Sequence, residues 1–221
     1  MIETKHSNYA NANIAATAAI VDAAKKSDAK SIIFISVVGA SPKSRNAYFR
    51  SKGVAEELVL RSGLGARILR TPILFGPNAA GSQAIIGMIS SGQAKLLGGG
   101  HYQMRPLDID DLSEALTILC SASIQDQVTY ELVGPESAPY RDIIEMTAQV
   151  MGKTIAFGNV PILLAKFGAA ITSILKGGGI TPTVIDVITQ DEIVKTNADS
   201  ALGITLTPMK RTLEKMTSLG D

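Results

Sequence analysis

The sequence predicts an α/β chain: a parallel sheet crossed over by helices, then a smaller, mostly helical C-terminal part. Three observations predict it. Between Ser31 and Pro77 an apolar β-branched run, a helix-period stretch and a second apolar run follow one another with short connections. Strand, helix and strand so joined make a βαβ unit with parallel strands and a right-handed crossover. Both runs are apolar throughout rather than alternating, as strands covered on both faces are. After Gly134 the helix-period segments dominate.

The elements follow in order. Residues 11–26, NANIAATAAIVDAAKK, read as an Ala-rich helix with Ile14, Ala18, Val21 and Ala24 along one face. Ile32 to Val38 is the first strand, broken by Gly39, Ser41 and Pro42. A helix runs from about Asn46 to Leu60, with Val54, Leu58 and Val59 at helical spacing. Gly63 and Gly65 stop it. Ala66 to Phe75 is the second strand, ending at Gly76-Pro77. A short helix lies near Ser82 to Ser91, and Lys95 to Met104 reads as strand and turn. A helix ending near Ser121 starts at Asp110 or Asp111, either of which suits a helix N-terminus. Thr129 to Val133 is a strand. Helices follow from Ser137–Tyr140 to Met151, from Pro161 to Lys176, near Thr183 to Thr189, and from Thr207-Pro208 to about Leu219.

Composition narrows the class. The 221 residues are 46% hydrophobic, enough to bury a core. A formal net charge of +1 argues against a nucleic-acid partner. The single cysteine, Cys120, excludes a disulfide framework and suits a reducing compartment such as the cytoplasm. Its helical position reads as a buried small hydrophobe. No Cys/His ligand spacing exists, so no metal is expected. His6 and His101 read as solvated. The longest apolar stretch, Val160 to Leu175, is interrupted by Lys166 and falls short of the ~20 residues that span a bilayer. No signal peptide precedes the first helix. The clusters Gly98–Gly100 and Gly177–Gly179 read as turn glycines.

The chemistry concentrates in YFRSK. Tyr48 and Lys52, four apart, share one helix face. A nearby ammonium is expected to lower the tyrosine pKa from its usual ~10. A tyrosine held this way exchanges a proton with a carbonyl or alcohol. A surface tyrosine beside an unrelated lysine is the competing reading.

Strand, turn, Tyr-x-x-x-Lys helix and a strand ending LFGP resemble the short-chain dehydrogenase/reductase superfamily. The likeness is to its extended and atypical branches, among them nucleoside-diphosphate-sugar epimerases and the NAD(P)H-binding accessory subunit of respiratory complex I. It covers nearly the whole chain. The resemblance implies Tyr48 as catalytic acid/base. It implies Lys52 as the group that binds the nicotinamide ribose and lowers the tyrosine pKa. Asn13 and Thr17 match the family's Asn-x-x-Gly-Thr helix, with Ala16 in the glycine position. Thr71, Pro72, Ile73 and Leu74 would present backbone to the nicotinamide end of NAD or NADP.

Two departures stand out. The family ends its first strand here on two hydroxyl residues. This chain has Ser36-Val37, so Ser36, the nearest catalytic serine, is one residue off and faces the other way. Ser41 in the loop is the substitute donor. No G-x-G-x-x-G turn occurs for the pyrophosphate. The resemblance therefore implies a partial Rossmann-like sheet, its C-terminal half, lacking the N-terminal half of that domain. Residues 1–133 would be the partial NAD(P)-binding domain. Residues 134–221, with a contribution from 82–105, would be the substrate domain. The expected function is an NAD(P)-dependent oxidoreductase or epimerase, inactive in this form. The alternative is a non-catalytic nucleotide-binding or accessory subunit. The small-molecule substrate is not legible. The open edge of the first strand is expected to favour self-association.

Overall fold

The computed structural model describes residues 8–121, 127–176 and 180–218. A π-helical turn, Ala10–Ala15, leads into α1, Ala16–Lys26. β1 is Ser31–Val37, α2 Ala47–Leu60 and β2 Gly65–Thr71. β3 is Leu74–Phe75, α3 Ala80–Ser90 and β4 Gln93–Leu97. Short strands β5, Gln103–Met104, and β6, Leu107–Asp108, precede α4, Ile109–Ser121. β7 is Val128–Glu131, β8 Ala138–Pro139, α5 Tyr140–Val150 and β9 Ala156–Val160. Four helices close the chain: α6, Ile162–Lys176; α7, Pro182–Ile188; α8, Asp199–Leu202; and α9, Met209–Thr217. His6, Gly177–Gly179 and Leu219 lie outside the described residues.

The contacts group into two compact units. One holds Met1–Arg70, Ile118–Glu131 and Leu163–Ile188; the other holds Thr71–Thr117, Leu132–Ile162 and Thr189–Asp221. The chain passes between them at five points, so neither is a continuous segment like the 1–133 and 134–221 read from the sequence.

The first unit is built on the parallel sheet β1-β2-β7, with β1 at one end. In the β2–β7 pair, Arg67 lies opposite Val128 and Arg70 opposite Glu131. The core joins Val21, Val59, Ala66 and Ile68, with Ile32, Phe34 and Leu60 against it. Arg70 ties the layers. Its guanidinium grips both carboxylate oxygens of buried Glu56 on α2, at 2.9 and 2.7 Å, and reaches Glu131 on β7 at 3.2 Å. Gly53 lets the loop after β1 touch the helix. A Cβ there would stand 2.2 Å from the Ser41 carbonyl carbon.

The second unit carries three two-stranded ladders, β3-β6, β4-β9 and β5-β8. Its core contains Phe75, Ile85, Ile89, Leu96, Ile143, Ile144, Leu213 and Met216. Asp108 organises its edge. One oxygen accepts the Asp110 N–H and so caps α4. The other accepts the Thr212 hydroxyl at 2.8 Å, and the Lys215 ammonium also reaches this carboxylate.

Three sequence readings change. The run from Ala66 to Phe75 is two strands, because Pro72 has no N–H to give a ladder. The buried stripe of the first helix is Asn13, Thr17 and Val21, while Ile14, Ala18 and Ala24 are only partly covered or lie beside it. Polar groups take that face because it packs on α2, where they find partners. Cys120 is exposed. The buried face of α4 runs through Leu112, Ala115 and Leu119, and Cys120 stands one residue past it.

Candidate functional site

The site on the first unit starts from Asn46. Its side-chain oxygen accepts the N–H groups of Tyr48 and Phe49 at 3.0 and 3.3 Å, closing the N-terminus of α2. Its amide donates to the Thr183 carbonyl at 3.1 Å and so fastens α7 to the same point. This cap puts Tyr48 in the first turn and Lys52 one turn later on the same face.

Asn13 joins the π-helical turn to this helix. Its amide donates to Ser51 Oγ at 2.8 Å, and Ser51 donates to the Tyr48 carbonyl at 2.7 Å. Tyr9, one turn before Asn13, packs edge-on against Tyr48 with ring centroids 5.5 Å apart. Neither Tyr9 nor Ser51 stood out in the sequence. The spacing Tyr9, Asn13, Thr17, Val21 was the available signal, masked by its polar members.

The electrostatics of the pair differ from expectation. Burial pushes the Tyr48 phenol above its ordinary value, and Tyr9 adds to the rise. The expected lowering by a neighbouring ammonium is overturned. Lys52 turns toward the strand, donates to the Ile35 carbonyl at 2.9 Å and stands 4.4 Å over the Phe34 ring. Burial lowers the Lys52 pKa, and Glu56 partly opposes this. Desolvation is the larger cause for both groups, opposed by charge only at Lys52.

Ser36 is buried in β1 at 1% exposure. By alternation it shares the strand face of Phe34, while Val37 takes the other. Ser41 is held between loop and helix: its N–H donates to the Phe49 carbonyl of α2 and its hydroxyl oxygen accepts the Lys43 N–H. The loop between β1 and α2 is thus closed by its own backbone over Gly53, and Asn46 fills the helix N-terminus. The β1–α2 turn offers no cradle for a pyrophosphate.

Thr71, Pro72, Ile73 and Leu74 belong to the second unit. Thr71 is buried. The Ile73 N–H donates to Glu192 Oε1 at 2.9 Å and its carbonyl accepts from Leu107 N–H at 3.0 Å. Glu192 Oε2 accepts the Arg105 N–H, also at 2.9 Å. Burial raises the Glu192 pKa, and these two N–H groups hold it down. Glu192 was not foreseen, because it lies far along the chain from the loop it grips. Among the described residues no three His, Cys, Asp or Glu side chains gather to hold a metal. No helix among them is long and apolar enough to cross a membrane.

Residues 3–132 match a protein-family model described as the NAD dependent epimerase/dehydratase family. A curated relative is the mitochondrial NADH dehydrogenase [ubiquinone] 1 alpha subcomplex subunit 9 of Arabidopsis thaliana, 27% identical over 176 residues. That alignment covers 76% of this chain and 42% of the relative, so the chain spans about two fifths of it. Among solved structures, MoeE5 in complex with UDP-glucuronic acid and NAD superposes with a TM-score of 0.71 at 17% identity, covering 92% of this chain and 69% of that one. The Citrobacter triphenylmethane reductase complexed with NADP(H) gives 0.67 at 19% identity, covering 90% and 69%. At these identities the structures speak for the fold alone.

Proposed function

The chain belongs to the NAD dependent epimerase/dehydratase family, and from that membership we propose that it contributes the nicotinamide end of an NAD(P) site and works without turnover, as a binding or accessory subunit. One observation carries this reading. Lys52 turns to the strand, giving one donor to the Ile35 carbonyl and its charge to the Phe34 ring, instead of activating the Tyr48 phenol. Two further features support it. Val37 stands where a second hydroxyl would be needed to hold a substrate oxygen. The relative of similar sequence is itself a subunit of an NADH dehydrogenase.

In this reading Lys52 keeps donors for a ribose hydroxyl, since an ammonium has three and Ile35 takes one. Tyr48 adds a neutral hydroxyl donor. NAD(P), when bound, would supply a hydride acceptor or donor. This chain's residues would orient it rather than move a proton. The second reading, an NAD(P)-dependent epimerase, dehydratase or reductase, rests on Tyr48 and Lys52 sharing one face of α2.

Calorimetric titration with NADH and NADPH tests the choice. Weak binding is expected, lost in Lys52→Ala and kept in Tyr48→Phe, with no hydride transfer in either case. Micromolar affinity together with turnover that Tyr48→Phe abolishes would restore the catalytic reading.

A further inference from the structure

In the second unit, residues 191–197, DEIVKTN, form neither helix nor strand, and none of them is buried. Hydrogen bonds hold the segment at its two ends. At one end Asp191 Oδ1 accepts the Gln103 N–H at 2.7 Å, and the Glu192 N–H donates to the Gln103 carbonyl at 2.9 Å. At the other the Asn197 side chain accepts the Val133 N–H at 3.0 Å and donates to the Val133 carbonyl at 2.9 Å. Between the ends Ile193 is 72% exposed, and Lys195 and Thr196 are exposed too. The segment is a strap, fastened by polar contacts and burying little apolar surface. Segments of that kind open at low cost.

The strap carries Glu192, whose two oxygens take the N–H groups of Ile73 and Arg105, one each, at 2.9 Å. A carboxylate drawn out of water is costly unless a cation joins it. Among the described residues no cation pairs with Glu192. The Arg105 guanidinium turns instead to the carbonyls of Gly134 and Pro135. Opening the strap returns the carboxylate to water and gives both N–H groups to water, so no polar group is stranded.

We propose that Glu192 is an internal plug: it occupies the Ile73 N–H that the carboxamide of NAD(P)H would take, and the strap opens before the cofactor binds there. The inference rests on the reading of this chain as an NAD(P)-binding subunit, with Thr71, Pro72, Ile73 and Leu74 facing the nicotinamide end. Pro72 has no N–H to offer, so Ile73 is the next donor along that loop. A carboxamide oxygen and a carboxylate oxygen accept an N–H in the same geometry. The two compete for one donor. Closure of the strap therefore lowers cofactor affinity by the fraction of time that the strap is open.

The test joins amide hydrogen exchange of the full chain to calorimetric titration with NADH, with far-UV circular dichroism to show that variants fold. The amides of Ile73, Gln103, Arg105 and Val133 are expected to exchange together, well ahead of the buried Thr147 and Ala148 of α5. Glu192→Ala removes the plug and should raise NADH affinity at least about fivefold. Asn197→Ala frees the far end of the strap without touching the loop and should raise it too. A residue that merely props the loop would act the other way, its loss lowering affinity. NADH affinity left unchanged or lowered by Glu192→Ala would overturn the proposal, and Asn197→Ala decides by the same criterion if Glu192→Ala does not fold. Exchange of the four amides only together with Thr147 and Ala148 would overturn it as well, since the strap would then not open by itself. If the strap opens but neither the natural chain nor a variant binds NADH, the NAD(P)-binding reading falls, and the plug with it.

Discussion

Asp108 shows what one residue can carry. It is 1% exposed, yet it caps α4, accepts the Thr212 hydroxyl and receives Lys215. The sequence pointed to Asp110 and Asp111, because a run of acids at a helix start looks interchangeable. Burial separates them. Asp111 instead accepts the Thr207 N–H and hydroxyl at 2.8 and 2.7 Å. Asp108→Ala should cost about 2 kcal/mol in urea unfolding, since it removes the α4 cap and the Thr212 acceptor and leaves Lys215 with Asp110. Asp108→Asn keeps the cap and should cost about half that. The stacked pair Tyr102 and Tyr140, centroids 5.5 Å apart, adds a pH signature. Burial pushes Tyr140 up to about 12 and raises Tyr102 further. Above pH ~10 the unfolded chain loses protons that the folded one keeps. The stability present below pH ~10 should therefore fall as pH rises toward 12, by roughly 1.4 kcal/mol per pH unit for each tyrosine. Tyr140→Phe should remove about half of that slope, read from urea midpoints across this range.

At the scale of elements, the order of strands and helices was legible where period and punctuation agreed. α2 starts at the residue after Asn46 and ends at Leu60, as its cap and its following glycine dictate. Tyr48 and Lys52 share a face because spacing alone decides that. What surrounds them was not legible. The Ile35 carbonyl, the Phe34 ring and Tyr9 reach the pair only after β1 and the first helix have packed on α2. Cys120 was misplaced by a single residue of phase, which sequence periodicity resolves poorly where Ile118 and Leu119 precede it directly. Close packing gives this layer its sharpest test. Gly53→Ala would drive a methyl into backbone atoms of Ser41 and Pro42, at 2.2 and 2.3 Å. The loop or the helix must move, at a cost of about 1–3 kcal/mol. The thermal midpoint should fall although alanine is the better helix former. An unchanged midpoint would mean that the loop does not rest on the helix.

On the scale of the molecule, the five crossings between the two units decide how the chain unfolds. A boundary at one point, as 133/134 would be, lets each part melt alone. Here each unit is stitched from three segments, and β2, α4 and α6 each cross from one to the other. Local periodicity cannot reveal such interleaving, because it depends on which distant segments pair: β2 with β7 in one unit, β4 with β9 in the other. Loss of either core frees the ends of segments that belong to its neighbour. The chain should therefore unfold in one cooperative transition, with equal calorimetric and van't Hoff enthalpies. Two substitutions placed in different units test this. Glu56→Ala leaves Arg70 in the first unit with Glu131 as its carboxylate partner, and should cost about 3 kcal/mol. Asp108→Ala acts in the second unit. Each should lower the same single midpoint, and the double variant should lower it by the sum, since distant sites add. Two resolved transitions, each shifted by only one of the substitutions, would show the units to be independent.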